Sequence, residues 1–147
     1  MAIFIFLLMT DLTALEVNVD DLACNAFVES IIQIESKGND KSIAKDGSAG
    51  PLQIKPVLVK DVNRILRRRG DSSLFTLADR FDRKKAIDMF WIYQNYYGSE
   101  SDSFEVMARR WNGGPAGPRS KKTKKYWQKV HKVFGGNVQK KLSRSNT

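Results

Sequence analysis

The stretch VESIIQIESKGN, residues 28–39, decides how the chain can fold, because its apolar residues recur at helical spacing. Ile32, Ile31 and Val28 stand three, four and seven positions before Glu35, and residues at these separations share one face of an α-helix. Glu35 therefore extends an apolar stripe in the last turn of that helix. Carboxylates are seldom buried without a partner, so this glutamate lies either at the solvent edge of a structural helix or at a site that needs an acid.

The same apolar periodicity recurs along the chain and predicts a mainly α fold. The segment NDKSIAKDGSAG, residues 39–50, is rich in turn formers and is expected to be a loop. At most a small β-hairpin is expected, around residues 52–54. The predicted helices run from about Asp21 to Lys37, from Pro56 to the basic segment RRRGDSS, from a cap at Asp82 to Tyr97 before Gly98, from caps at Ser101–Ser103 to NGGP, and from near Thr123 to Phe134 before Gly135.

A length of 147 residues favours one domain, which we expect to span residues 21–136. The segment MAIFIFLLMT at the start resembles a weak signal peptide, so residues 1–20 are expected to be a signal peptide, with a buried N-terminal segment as the alternative. Secretion follows from the first interpretation. No apolar run approaches the ~20 residues that a membrane-spanning helix needs. Residues 137–147 are expected to form a flexible basic tail.

Charge is distributed unevenly along the chain. Residues 1–36 contain no Lys or Arg, whereas residues 106–147 contain no Asp or Glu and twelve Lys or Arg. Together with a formal net charge of +9, this asymmetry predicts attraction to an anionic partner. Nucleic acid, an anionic cell wall and a membrane surface all meet that description.

Four short motifs occur in a fixed order along the chain: ES at residues 35–36, GSAGPLQI at 47–54, ARRWNGGPAG at 108–117 and YWQKV at 126–130. Together they resemble the motif set of the lysozyme-like superfamily. The first two are similar to the Glu-Ser and Gly-x-x-Gly-x-x-Gln-Ile motifs of lytic transglycosylases and goose-type lysozymes. The last two, with GPLQIK, are closer to invertebrate-type lysozymes.

The resemblance covers roughly residues 28–133. It implies a lysozyme-like α-helical domain with at most a small β-hairpin beside the active-site cleft. It implies cleavage of the β-1,4 bond between N-acetylmuramic acid and N-acetylglucosamine in bacterial peptidoglycan, by hydrolysis or by the lytic transglycosylase route. Two features depart from the pattern. The chain has one cysteine, Cys24, where invertebrate-type lysozymes are rich in cysteine, and Pro51 stands where transglycosylases have a bulky apolar residue.

Glu35 suits the role of general acid on physical grounds as well. Cleaving a glycosidic bond requires a proton on the leaving oxygen, and a carboxylic acid supplies it near neutral pH only if its pKa is raised. An apolar helix face raises the pKa by disfavouring the ionised form. Trp111 is a candidate wall from another helix. The resemblance further implies that the Tyr126 hydroxyl lies near the acid, although at its spacing Tyr126 also suits the core.

Six residues in the motifs are candidates for binding the sugar, and Tyr126 is one of them. Gly50 allows close approach of the backbone, and the amides of Gln53 and Asn112 can donate to and accept from hydroxyl or N-acetyl groups. An ordinary turn with a solvated Gln53, and a helix C-cap at Asn112 and Gly113, explain the same residues without a ligand. The resemblance adds Ser36 to this set.

A second carboxylate is the less certain part of the prediction. A retaining hydrolase needs a carboxyl group ~5–5.5 Å from the acid. Asp46, in the loop, is the first candidate and Asp40 the second, although loop acids are more often solvated. A lytic transglycosylase needs no such residue. His131 is isolated, and the sequence indicates no metal site and no cofactor.

Two other functions remain open. A small basic nucleic-acid-binding protein would use the C-terminal Lys and Arg with Tyr126 and Trp127, but it leaves Glu35 and Gln53 without a role. A lysozyme-like domain that binds glycan without cutting it is the other. We expect peptidoglycan as the partner, no specific nucleic acid and a monomer.

Overall fold

The computed structural model describes residues 19–145, with side chains to residue 138, and confirms the expected mainly α fold. The expected signal peptide falls almost wholly on residues 1–18, outside the described part. No helix in residues 19–145 is long and apolar enough to cross a membrane. The helices are α1 (Val19–Ser36), α2 (Pro56–Arg68), α3 (Arg83–Tyr97), α4 (Phe104–Gly113) and α5 (Lys124–Ser145), with short 3-10 turns at Ala78–Phe81, Gly117–Arg119 and Lys121–Thr123.

The helix starts follow from local chemistry and confirm the predicted caps. Pro56 begins α2, where its missing N–H costs no hydrogen bond. The Asp82 carboxylate accepts from the Lys85 backbone N–H at the start of α3. The Ser103 hydroxyl accepts from the backbone N–H three residues later at the start of α4. Such caps stabilise a helix by about 0.5–2 kcal/mol each.

Helix α5 is longer than the sequence predicts. The helix was expected to end at Gly135, yet it continues to Ser145, so the structure places residues 137–145 in a helix and not in the expected flexible tail. Two exposed glycines cost about 1 kcal/mol each relative to alanine, which is not enough to end a helix that packs on both sides of them. Phe134 packs on Phe104 at 5.1 Å, and the Asn137 amide donates to the buried Ser30 hydroxyl at 3.0 Å.

The core is formed by side chains from all five helices. Phe27 of α1 stacks on Phe104 of α4 with ring centroids 4.5 Å apart and meets Phe90 of α3 edge-on at 6.2 Å. Val62 from α2 and Val130 from α5 are fully buried in the same cluster. Burying a side chain of this size stabilises the fold by about 1.5–3 kcal/mol. This core fixes the last turn of α1, where Glu35 lies.

The loop between α1 and α2 contains the only β pairing in the described residues. Ala49 forms isolated antiparallel bridges with Ile43 and with Ile54, so the expected hairpin is reduced to two single bridges. Gly50 has φ of +78°, and a Cβ there would lie 1.7 Å from the Arg80 carbonyl oxygen. Only glycine fits this close approach, which fastens the loop to the 3-10 turn before α3.

Candidate functional site

Glu35 ends α1 with its carboxyl group largely removed from water. Ile31 and Ile32, on the preceding turn, are fully buried. The Tyr126 hydroxyl of α5 donates a hydrogen bond of 2.6 Å to Oε1 of Glu35. Burial raises the pKa of Glu35, the hydrogen bond from Tyr126 opposes that rise, and the negative charge of Asp46 adds to it. The pKa of Tyr126 is itself raised well above its ordinary value, chiefly by burial.

A cleft of about 1030 Å³ opens beside Glu35. The cleft is lined by residues of the loop before α2, of α2 and α3, and of the end of α4. Of the residues predicted from the sequence, the cleft brings together Glu35, Asp46, Gln53 and Asn112, with Trp111 as a further wall. Residues that are far apart in sequence therefore share one open space.

Asp46 has surroundings opposite to those of Glu35. Its side chain is 54% exposed, Oδ2 forms an ion pair with Lys55 Nζ at 3.1 Å, and Oδ1 accepts from the Ser48 backbone N–H at 3.1 Å. Hydrogen bonding from Ser48, together with the Lys55 ammonium, lowers the pKa of Asp46 to about 2. Between the lowered pKa of Asp46 and the raised pKa of Glu35, Asp46 is ionised while Glu35 still holds a proton. Asp40, the second candidate, pairs with Arg83 at 2.7 Å and does not line the cleft.

Gln53 and Asn112 both line the cleft, but only the Gln53 side-chain amide is held by hydrogen bonds within the protein. Gln53 has φ of +48°, and its Nε2 donates to the carbonyl oxygens of Gly50 at 2.9 Å and Ser42 at 3.3 Å. Its amide therefore holds the loop in shape and leaves Oε1 without a partner among the described residues. The Asn112 side chain is exposed and has no hydrogen-bond partner in the same part of the chain, so it is free to bind a ligand.

Four predicted binding residues do not line the cleft, and one of them, Tyr126, instead donates to Glu35 as described above. The Ser36 hydroxyl donates to the Ile32 carbonyl oxygen at 3.1 Å, within its own helix. Gly50 is buried against Arg80, as described above. Gly113 faces Thr123, since a Cβ there would lie 2.6 Å from its methyl group, and Gly114 lines the cleft in its place. Ser36, Gly50 and Gly113 therefore make their contacts within the protein.

The part of the cleft lined by α2 and α3 carries a polar network that the motifs did not indicate. Tyr97 donates to Oδ2 of Asp61 at 2.7 Å, while Arg64 Nη2 binds Oδ1 at 2.6 Å and the Tyr97 hydroxyl at 3.0 Å. Tyr93 lines the cleft beside them, and burial raises its pKa to about 12. A signal was present, because Asp61 and Arg64 on α2, and the two tyrosines on α3, each share a helix face.

Metal binding has no support in the described residues, where no group of three or more His, Cys, Asp or Glu side chains could hold an ion. His131, the isolated histidine, lies on α5 with its ring 5.1 Å from that of Trp127.

Comparison with known proteins adds no relative. No model of a known protein family matches the chain, and no curated protein matches it either.

Proposed function

We propose that this protein is a lysozyme-type glycosidase that cleaves the β-1,4 bond between N-acetylmuramic acid and N-acetylglucosamine in bacterial peptidoglycan. One observation carries the proposal: the raised pKa of Glu35, whose carboxyl group lines an open cleft and is held there by Tyr126. A carboxyl group that keeps its proton at higher pH is what the departure of a glycosidic oxygen requires.

The lining of the cleft fits a glycan. The aromatic side chains of Trp111, Tyr93 and Tyr97 offer flat apolar surface with polar edges, and Asn112 offers an amide for hydroxyl or N-acetyl groups. Ligand clefts of roughly 300–1,000 Å³ are usual, so a volume of about 1030 Å³ admits more than one sugar ring. A nucleic-acid-binding surface would not need a protonated carboxyl group at its centre.

In the proposed reaction the neutral Glu35 donates its proton to the glycosidic oxygen as the bond to the muramic acid C1 breaks. Positive charge develops on the sugar ring, and the ionised Asp46 stabilises it across the cleft. The hydrogen bond from Tyr126 stabilises the glutamate that has lost its proton. Glu35 then takes a proton from the attacking water, and the product has a free reducing end.

A lytic transglycosylase is the second candidate, and the contacts of Asp46 favour it. Both carboxylate oxygens of Asp46 already have partners, Lys55 and Ser48, and a strongly stabilised carboxylate is a poor nucleophile. Without it, the muramic acid 6-hydroxyl attacks C1 and gives a 1,6-anhydro product. The two routes differ by one water in the mass of the product.

The charge of the surface agrees with an extracellular target. Exposed lysines without an ion pair among the described side chains cluster around the start of α5, and an anionic wall attracts such a surface. We therefore propose secretion and action on the wall as a monomer. The lysines are Lys121, Lys122, Lys124, Lys125, Lys129 and Lys132.

The test is release of soluble fragments from purified peptidoglycan, followed by mass spectrometry. We expect the protein to clear a wall suspension and Glu35→Gln to fail. Glu29→Gln is the matched control, because Glu29 lies on the same helix but pairs with Arg83 at 3.3 Å and does not line the cleft. Mainly anhydro products would select the transglycosylase route, and binding without fragments would reject both enzymes.

A further inference from the structure

Two cationic side chains that line the cleft have no partner among the described residues. Asp46 pairs with Lys55 at 3.1 Å and Asp61 pairs with Arg64 at 2.6 Å, so each of those charges is matched. The side chains of Lys45 and Lys60 also line the cleft, are exposed, and make no ion pair or hydrogen bond with any described residue. The proposed chemistry, which needs one acid and one ionised carboxylate, leaves both lysines unused.

Lys60 belongs to a defined strip of α2. Val57, Lys60, Asp61 and Arg64 are spaced by three, four and seven residues, so they share one helix face, and all four line the cleft. Val57 is 66% exposed, so its side chain is open to contact with a ligand in the cleft. The strip thus offers an apolar contact next to an unpaired ammonium group.

A neutral glycan has no group that matches this pattern. Besides Glu35, the cleft is lined by four cationic side chains and only two carboxylates. The excess positive charge favours a ligand with carboxylates of its own. The peptides attached to muramic acid carry alanine methyl groups and free carboxylates, which match an exposed valine and unpaired lysines.

We propose that the cleft binds the stem peptide of peptidoglycan, with Lys60 and Lys45 binding its free carboxylates and Val57 packing against an alanine side chain. This inference rests on the proposed function for the identity of the glycan. It adds a specificity: peptidoglycan whose stem carboxylates are free is the preferred substrate, over peptidoglycan whose stem carboxylates are amidated.

The test compares two soluble fragments with the same sugars and the same stem sequence, one with free and one with amidated carboxylates. Binding is measured by calorimetry at low salt with Glu35→Gln, so that nothing is cut. Exposed charge pairs contribute modestly, so we expect the free fragment to bind about 5- to 10-fold more tightly. Adding Lys45→Gln and Lys60→Gln should make the two dissociation constants equal.

The control replaces Lys37 and Lys41 by Gln in the same background, because both are exposed lysines without an ion pair among the described residues, neither lines the cleft, and the loss of charge is the same. This variant should keep the preference. Equal binding of the two fragments by the Glu35→Gln parent, or a preference that survives in the Lys45→Gln, Lys60→Gln variant, would overturn the inference. A preference in binding without fragment release by the wild type would reject the glycosidase and leave peptide recognition standing.

Discussion

Glu35 and Asp46 line the same cleft, yet the protein treats their carboxyl groups in opposite ways. Glu35 ends a helix over a packed core, and burial raises its pKa. Asp46 lies in an exposed loop, where Ser48 and Lys55 lower its pKa to about 2. The difference teaches that the environment, and not the residue type, decides which group can donate a proton.

The largest expected effect is on the rate of cleavage, where substitutions of Glu35 and Asp46 should differ. Glu35→Gln keeps the shape and can still accept from Tyr126, but it has no proton to give, so we expect the rate of fragment release to fall by at least about 100-fold. Asp46→Asn removes a charge and no proton, so its loss should be smaller, below about 10-fold at an exposed site. Initial rates on purified peptidoglycan provide the comparison. Equal losses in the two variants would show that the roles are not divided.

The sequence indicated the surroundings of Glu35 but not those of Asp46. The apolar positions before Glu35 placed it on an apolar helix face, because a helical period fixes which residues share a face, but they left open whether it lies at the solvent edge or at a site. The caps at Pro56, Asp82 and Ser103 were predictable for the same local reason. The partners of Asp46 and the network around Asp61 were not, since they depend on how a loop and two helices meet.

The length of α5 was missed for a related reason. A pair of glycines, Gly135 and Gly136, is a local stop signal, whereas the contacts that continue the helix are tertiary. Phe134 packs against Phe104, and Asn137 reaches Ser30 on α1. The sequence gives no indication of either pairing, because the partners lie 30 and 107 residues away.

A second prediction concerns a substitution that disturbs the loop between α1 and α2 and leaves α1 unchanged. A methyl group at Gly50 would collide with the Arg80 carbonyl oxygen, so Gly50→Ala should lower the free energy of unfolding by at least about 2 kcal/mol. Gly47→Ala is the control, because Gly47 has φ of +83° but nothing within 4 Å of the added atom. It should cost only the left-handed strain, about 1 kcal/mol. Urea unfolding measures both, and equal losses would mean that the close approach is not needed.

A third prediction uses the opposite pKa shifts as opposite effects on stability. The pKa of Glu35 is raised in the folded protein, so its contribution is present at low pH and is lost as pH rises from the ordinary value of 4.5 through the folded pKa. The pKa of Asp46 is lowered, so its contribution is present above 3.8 and is lost as pH falls toward about 2.

Urea unfolding of Glu35→Gln and Asp46→Asn across this pH range measures the two contributions. Relative to wild type, Glu35→Gln should gain stability as pH rises, and Asp46→Asn should lose its disadvantage as pH falls. Parallel pH dependence in the two variants would contradict the assigned environments.

The smallest effect concerns the hydrogen bond that opposes the pKa rise of Glu35. Tyr126→Phe removes the donor, so the pKa of Glu35 should rise further and activity should persist to higher pH. Tyr96→Phe is the control, because the Tyr96 hydroxyl contacts Arg64 and Arg68 and does not line the cleft. The pH dependence of fragment release checks the shift. If activity of Tyr126→Phe were instead lost at lower pH than in the wild type, the tyrosine would favour the neutral form of Glu35.

The pH dependence of peptidoglycan cleavage by the wild-type protein, measured beside an NMR titration of the Glu35 carboxyl carbon, tests the central claim most directly. Glu35 must be protonated to donate, so kcat/KM should fall as pH rises through the titration midpoint of that carbon, which should lie above 4.5. Cleavage that is unchanged across that midpoint, or no fragments at any pH, would contradict the account.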